Sequence, residues 1–140
     1  MKTAAIIAEY NPFHNGHKYQ LEETKRQTGA DFIVVVMSGD FVQRGIPAMY
    51  SKTFRTRSAL LSGADLVIEM PIFGTLSAAQ DFARCGVSLF HHMGMIDILS
   101  FGSESGNIEE LWQLADHSAL ETNEQSALIR EGLRNGLSYP

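Results

Sequence analysis

Ala4-Ala5-Ile6-Ile7-Ala8, followed at once by Glu9-Tyr10-Asn11-Pro12-Phe13-His14-Asn15-Gly16-His17, decides how this sequence is read. The first run is short, apolar and β-branched at its centre, the pattern of a buried strand. Asn11-Pro12 breaks it into a turn. Two histidines three residues apart then open a segment of helical length, from Gly16 to Thr28, with Gly29 as its C-terminal cap. Three further runs resemble the first: Phe32-Ile33-Val34-Val35-Val36-Met37, Leu66-Val67-Ile68 and Ile98-Leu99-Ser100-Phe101. A helix over the Lys52 and Arg55 region, one from Ser77 with Gln80 as a capping box up to Gly94, and starts at Asn107 with Glu110 and Thr122 with Gln125 fill the intervals. Ala78, Phe82, Cys85 and Leu89 follow helical spacing as core positions, and Ile108, Leu111, Trp112 and Ala115 share one face as packing residues. Strands that are apolar throughout and alternate with helices imply an α/β fold with a doubly wound parallel sheet. Ligands of such sheets bind beyond the carboxyl ends of the strands, which here means after Ala8, Met37, Ile68 and Phe101.

The whole chain fits that frame. Its 140 residues are 44% hydrophobic and 19% charged, as expected of one globular domain over 1–140 and not of disordered, collagenous or coiled-coil chains. A net charge of -5 argues against a protein wrapped in nucleic acid over its whole surface. Charge is uneven: residues 1–96 carry nine bases and eight acids, residues 97–140 two bases and eight acids, so anionic partners belong to the first part. Phe41 to Ala64 holds no acid but has Arg44, Lys52, Arg55 and Arg57. One cysteine, Cys85, precludes an internal disulfide and suits a reducing compartment. No apolar run approaches the roughly 20 residues that span a bilayer, and the N-terminus has an acid and a proline too early for a signal peptide, so the cytoplasm is the expected location and no membrane partner is expected.

His14 and His17 at a helix start should face one spot. There an anion meets unpaired amide N–H groups, the positive helix end and two rings, and Gly16 leaves room for a ligand against the backbone. Zinc is the first rival, since two histidines at this spacing can chelate it, but no third ligand of comparable quality is evident and no metal site is assigned. Arg44, Lys52 and Arg55 are the candidates for contact with an anionic ligand, Arg44 through two parallel N–H groups and Lys52 as a point charge. Arg57 reads as a solvated surface base, Glu69 as a strand-end carboxylate orienting a ligand group or a backbone N–H, and Tyr10 as packing. His91 and His92 complement a helix C-terminus, and His117 has no evident partner.

His14-Asn15-Gly16-His17 after a first strand resembles the HxGH signature of the nucleotidyltransferase superfamily. Together with Met37-Ser38-Gly39-Asp40-Phe41-Val42-Gln43-Arg44-Gly45, Gly63-Ala64-Asp65-Leu66-Val67-Ile68-Glu69 and Phe101-Gly102-Ser103-Glu104, it resembles the bacterial tRNA(Met) cytidine acetate ligase family over nearly the whole chain. That resemblance implies a Rossmann-like sheet of the nucleotidyltransferase type. It implies an enzyme that activates acetate with ATP to acetyl-adenylate and passes the acetyl group to N4 of the wobble cytidine of elongator tRNA(Met). It also implies ATP contacts at Ile7, Ala8, Glu9, Tyr10, Asn11, Pro12, Phe13, His14, Asn15, Gly16, His17 and Gly102, with His14 and His17 as catalytic donors, and makes triphosphate, acetate or RNA phosphate the anions that Arg44, Lys52 and Arg55 are candidates to meet. Asp40 departs from the Asn expected at its position, which leaves the role of that position open.

Such sheets usually have five strands and only four are legible here. The chain, ending at Leu137-Ser138-Tyr139-Pro140, therefore reads as the N-terminal ATP-binding part of a longer enzyme, truncated before the fifth strand and inactive on tRNA alone. An unfinished sheet leaves an edge that can pair with another copy as a homo-oligomer. Magnesium is compatible with a triphosphate, although no carboxylate cluster forms a dedicated cage. Two alternatives stand beside the ligase reading: a small-metabolite adenylyltransferase of the coenzyme-biosynthesis kind, and a non-catalytic nucleotide- or metal-binding module.

Overall fold

A computed structural model describes residues 1–119 and 123–136. The chain divides into two units, residues 1–102 and 103–140.

The first unit is built on four parallel strands, β1 (Thr3–Ala8), β2 (Phe32–Met37), β3 (Leu66–Glu69) and β4 (Ile98–Leu99), in the spatial order β3-β2-β1-β4. Their helices are α1 (Asn15–Thr28), α2 (Lys52–Leu61), a short α3 (Ile72–Thr75) and α4 (Ala79–Met93), with one 3-10 turn at Gln43–Gly45. β2 occupies the six residues read from sequence, whereas β4 is two residues long, and Ser100 and Phe101 continue beyond it without pairing as strand. In register, Ala4 to Ala8 lie beside Ile33 to Met37, and Ala4 and Ala5 beside Ile98 and Leu99.

Alternation along the strands divides the core into two layers. Ile6, Ile33, Val35 and Met37 pack with Leu21 of α1 and Ala59 of α2. Ala5, Val34 and Val36 pack on the other face with Phe90 of α4, joined by Ile7, Phe82, Cys85 and Leu89. Helices on both faces make the sheet doubly wound, and the central strands are buried over Thr3–Ile6 and Ile33–Met37. β3 departs from the buried strand read from sequence, because at the edge its Leu66 is 42% exposed.

Helix ends follow their chemistry with one exception. Gly29 closes α1 at φ 64 and Gly94 closes α4 at φ 64, the left-handed conformation that glycine adopts at least cost. The Ser77 capping box does not form. Ser77 Oγ donates 2.6 Å to the Phe73 carbonyl of α3, and Ala78 stands at the N-cap of α4 with no side-chain bond. The preceding short helix, invisible in the apolar pattern, takes the hydroxyl first.

In the second unit, α5 (Ile108–Ala119) is capped as expected: Asn107 Oδ1 accepts from the Glu109 and Glu110 amides at 3.1 and 3.3 Å. α6 spans Asn123–Arg134; Thr122 and residues 137–140 lie outside the described residues. Trp112, read as packing, is exposed, because two short helices do not by themselves enclose an indole. His117 finds a partner in the Gln113 carbonyl, one turn earlier, at 2.9 Å.

Gly86 of α4 shows how tightly the layer over β1 is packed. A Cβ there would lie 2.5 Å from Ile7 Cδ1 and 2.8 Å from Cγ1. Overpacking costs roughly 1–3 kcal/mol and Ile is stiff at χ1, against a helix-propensity gain of about 1 kcal/mol for Ala over Gly. Gly86→Ala should therefore lower stability by about 1 kcal/mol net in urea unfolding; an unchanged or raised midpoint would mean that Ile7 yields freely.

Candidate functional site

At the carboxyl end of β1 the chain turns through Glu9 to Phe13 into α1. Tyr10 has φ 50, and the Asn11-Pro12 peptide is cis. Tyr10 is buried, its ring edge-on to Phe13 and to His17 with centroids 4.8 Å apart in each case, so its reading as a packing residue holds. Burial pushes its phenol well above the ordinary value.

The two histidines cap the helix reciprocally. His14 is the N-cap residue and its Nδ1 accepts from the Gly16 amide at 3.1 Å, while His17 Nδ1 accepts from the His14 amide at 3.2 Å. Their rings stack, centroids 3.7 Å apart and planes 23° from parallel. An imidazole that accepts at Nδ1 carries its proton at Nε2 when neutral, so this hydrogen-bond pattern assigns both rings a donor on the far nitrogen. The structure differs from the sequence expectation on the backbone donors. The Gly16 amide is bonded to His14 Nδ1 and the His17 amide to the His14 carbonyl at 2.9 Å, so most first-turn N–H groups are already satisfied by the cap. Gly16 also has a different reason: a Cβ there would meet His14 Cε1 at 2.9 Å, so the missing side chain accommodates the capping ring.

A cavity of about 410 Å³ opens beside this turn, lined by Ile7, Ala8, Glu9, Tyr10, Asn11, Pro12, His14, His17 and Gln20. Eight of these stand among the residues expected to contact nucleotide; Phe13, Asn15, Gly16 and Gly102 do not line it. Gln20 is new, though readable from sequence as the residue one helical turn beyond His17. Gly102 ends the first unit in open surroundings, with nothing within 4 Å of a Cβ placed there. Two lining residues also brace the loop after β2: Glu9 Oε1 accepts from the Gln43 amide at 2.6 Å, and Asn11 Oδ1 from the Met49 amide at 2.6 Å.

The three basic candidates separate. Arg44, in the 3-10 turn at φ 68, is exposed, with no ion pair among the described residues. Lys52 Nζ lies 2.9 Å from Glu69 Oε2 and 3.5 Å from Asp40 Oδ2, and hydrogen bonding to Glu69 raises its pKa above the ordinary value. Glu69 is thus an ion-pair partner, and Asp40 has a role in the same cluster. Arg55 is a correction. It is fully buried, and its guanidinium donates to the carbonyls of Glu9 at 2.7 Å, Ser38 at 3.0 Å, Tyr50 at 3.0 Å and Gly39, which leaves it unable to reach a phosphate or acetate. On α2 it shares its buried face with Ala59, one turn on. Elsewhere, His91 and His92 occupy the last turn of α4 as expected, with His92 Nδ1 2.7 Å from the Ser88 carbonyl. Arg57 is exposed, as read.

A family model described as HIGH Nucleotidyl Transferase matches residues 1–140. The chain belongs to that family. Within it, the chain is 48% identical over its full length to the tRNA(Met) cytidine acetate ligase of Acetivibrio thermocellus, covering 34% of that protein, and 48% identical to that of Geobacillus sp., covering 35%. The chain therefore spans about a third of the length of the relatives it matches. It also superposes on the crystal structure of Thermotoga maritima TmcAL bound with alpha-thio ATP at a TM-score of 0.88, with 38% identity, over all of this chain and 34% of that one.

The reciprocal cap has a pH signature. Burial, and then the neighbouring His14, hold the His17 pKa below its ordinary 6.5. The fold thus favours the neutral ring, and below pH 6.5 the unfolded chain binds the proton more readily. This contribution to stability is complete above pH 6.5 and is lost as pH falls through that value toward the lower folded pKa. Between pH 7.5 and 5.5 the urea midpoint of the native protein should fall more than that of His17→Gln; parallel falls would dissociate His17 from the effect.

Proposed function

We propose that the cavity beside β1 binds ATP, with His14 and His17 donating from Nε2 to the α-phosphate or its bridging oxygens, and that the protein is a tRNA(Met) cytidine acetate ligase. The observation that carries this reading is the pair of stacked imidazoles whose Nδ1 atoms are occupied by the helix, turning both Nε2 donors to other use at the mouth of an open parallel sheet. The named relatives and the nucleotide-bound TmcAL support it.

In this reading a carboxylate oxygen of acetate attacks the α-phosphorus of ATP, the bond to pyrophosphate breaks, and acetyl-adenylate forms. The exocyclic N4 of the wobble cytidine of elongator tRNA(Met) then attacks the acyl carbon, the bond to AMP breaks, and N4 loses a proton. The first step brings one anion to another, so the protein acts by holding reactants in line and by meeting charge on the phosphoryl oxygens. Two neutral rings do this without exchanging protons. Magnesium would travel with the triphosphate; among the described residues no three His, Cys, Asp or Glu gather into a cage for it. Residues 1–140 form the nucleotidyltransferase-like ATP-binding part of the enzyme, Arg44 is the basic candidate left for an anionic partner, and an open sheet edge can pair with a second copy. No helix among the described residues is long and apolar enough to cross a membrane, and ATP and tRNA place the work in the cytoplasm.

Acetate-dependent exchange of labelled pyrophosphate into ATP by the intact protein tests the reading. His14→Ala or His17→Ala should each slow exchange by about 10²–10³, the loss of one preorganised donor at roughly 2.7–4 kcal/mol. Exchange driven instead by a phosphomonoester acceptor, or unaffected by either substitution, would overturn it.

A further inference from the structure

Among the described residues Arg55 is the largest fully buried side chain, and no carboxylate among them bonds to it. Burying a guanidinium is costly unless its N–H groups are all but filled. Here four bonds go to backbone carbonyls, and three of those belong to Glu9, Ser38 and Gly39, the residues that immediately follow β1 and β2. Glu9 and its neighbours line the cavity. Carboxyl ends of parallel strands expose the negative poles of their last peptides, and Glu9, Asp40 and Glu69 all lie within electrostatic reach of Arg55. Lys52, the other cation of the cluster, is engaged by Asp40 and Glu69. Without Arg55, this corner of the sheet would present carbonyls and carboxylates to an incoming anion.

We infer that Arg55 is a positioning residue of the nucleotide site, whose guanidinium ties the ends of β1 and β2 together and supplies the fixed positive charge that lets a polyphosphate approach them. It acts through the Glu9 carbonyl and through the field, without touching the ligand. The inference rests on the ATP reading above and deepens it.

The test is the affinity of the intact protein for ATP and for adenosine by isothermal titration calorimetry, native beside Arg55→Gln and Arg55→Lys. A purely structural residue would affect both ligands alike. Arg55→Gln should weaken ATP by about tenfold or more, as expected for one charge removed at short range in a partly desolvated site, and adenosine by less than about twofold. Arg55→Lys gives a second reading that survives if the Gln variant does not fold. A buried ammonium loses its proton more readily than a guanidinium, so the preference of this variant for ATP over adenosine should decline from pH 7 to 10. The native protein, with the same Glu9, Asp40, Glu69 and Lys52 around the site, is the control and should change less. Equal losses for both ligands in Arg55→Gln, or a pH-independent preference in Arg55→Lys, would overturn the inference. Failure of the native protein to bind ATP would instead overturn the functional reading beneath it.

Discussion

Two amides at the start of α1 must be satisfied, and imidazole nitrogens satisfy them. Most helices use a hydroxyl or a carboxylate for this purpose; the carboxylate has no donor to offer, and the hydroxyl keeps an O–H on the same atom that rotates to suit its surroundings. An imidazole is different because it has two nitrogens with opposite roles in the neutral ring. When Nδ1 of His14 accepts from Gly16 and Nδ1 of His17 accepts from His14, the tautomer is set, and each far nitrogen becomes a donor. Capping the helix and preparing two donors are then one event. Acid that protonates either ring breaks the cap at the same moment as it changes the donor.

The sheet determines where those donors point. β1 lies between β2 and β4, with α1 and α2 on one face and α4 on the other, so the chain leaves β1 where the winding changes direction. The crevice that results is a property of topology more than of any side chain. Side chains hold it open: Glu9 and Asn11 reach across to the amides of Gln43 and Met49, and Arg55 bonds the carbonyls beneath. The loop after β2 is thus fastened to the loop after β1 at several points, and a shift in one is carried to the other.

Much of this was legible from residues alone, and the exceptions have physical causes. β2, the end of α1 at Gly29 and the cap at Asn107 follow from apolar runs and from local side-chain chemistry, which act over a few residues. Ser77 misled because its hydroxyl had a choice, and α3, four residues long, carries too little periodicity to announce itself. Arg55 misled in a more instructive way. An acid-free stretch with four bases offers Arg55 as a contact for an anionic ligand, yet the same helix puts it one turn before the buried Ala59. The periodicity pointed inward while the residue type pointed outward, and the carbonyls that reconcile them come from segments 16 to 46 residues away. At Gly16 the structure adds a reason that the sequence does not show: a Cβ there would meet the ring of its own neighbour, His14.

Position 40 brings the electrostatics to a point. An aspartate near a site for a polyphosphate adds a charge of the wrong sign, which would matter greatly in a dry interior. Asp40 is not in one: its side chain is 63% exposed and Lys52 stands 3.5 Å away. Solvent and salt screen such a charge within about 10 Å at moderate ionic strength, and exposed pairs are worth about 0–1 kcal/mol. Arg55 has no exposed surface and is screened less. Of the charges gathered at this edge of the sheet, the one least visible from outside therefore has the greatest leverage on an anion, and the exposed acid beside it can vary at small cost.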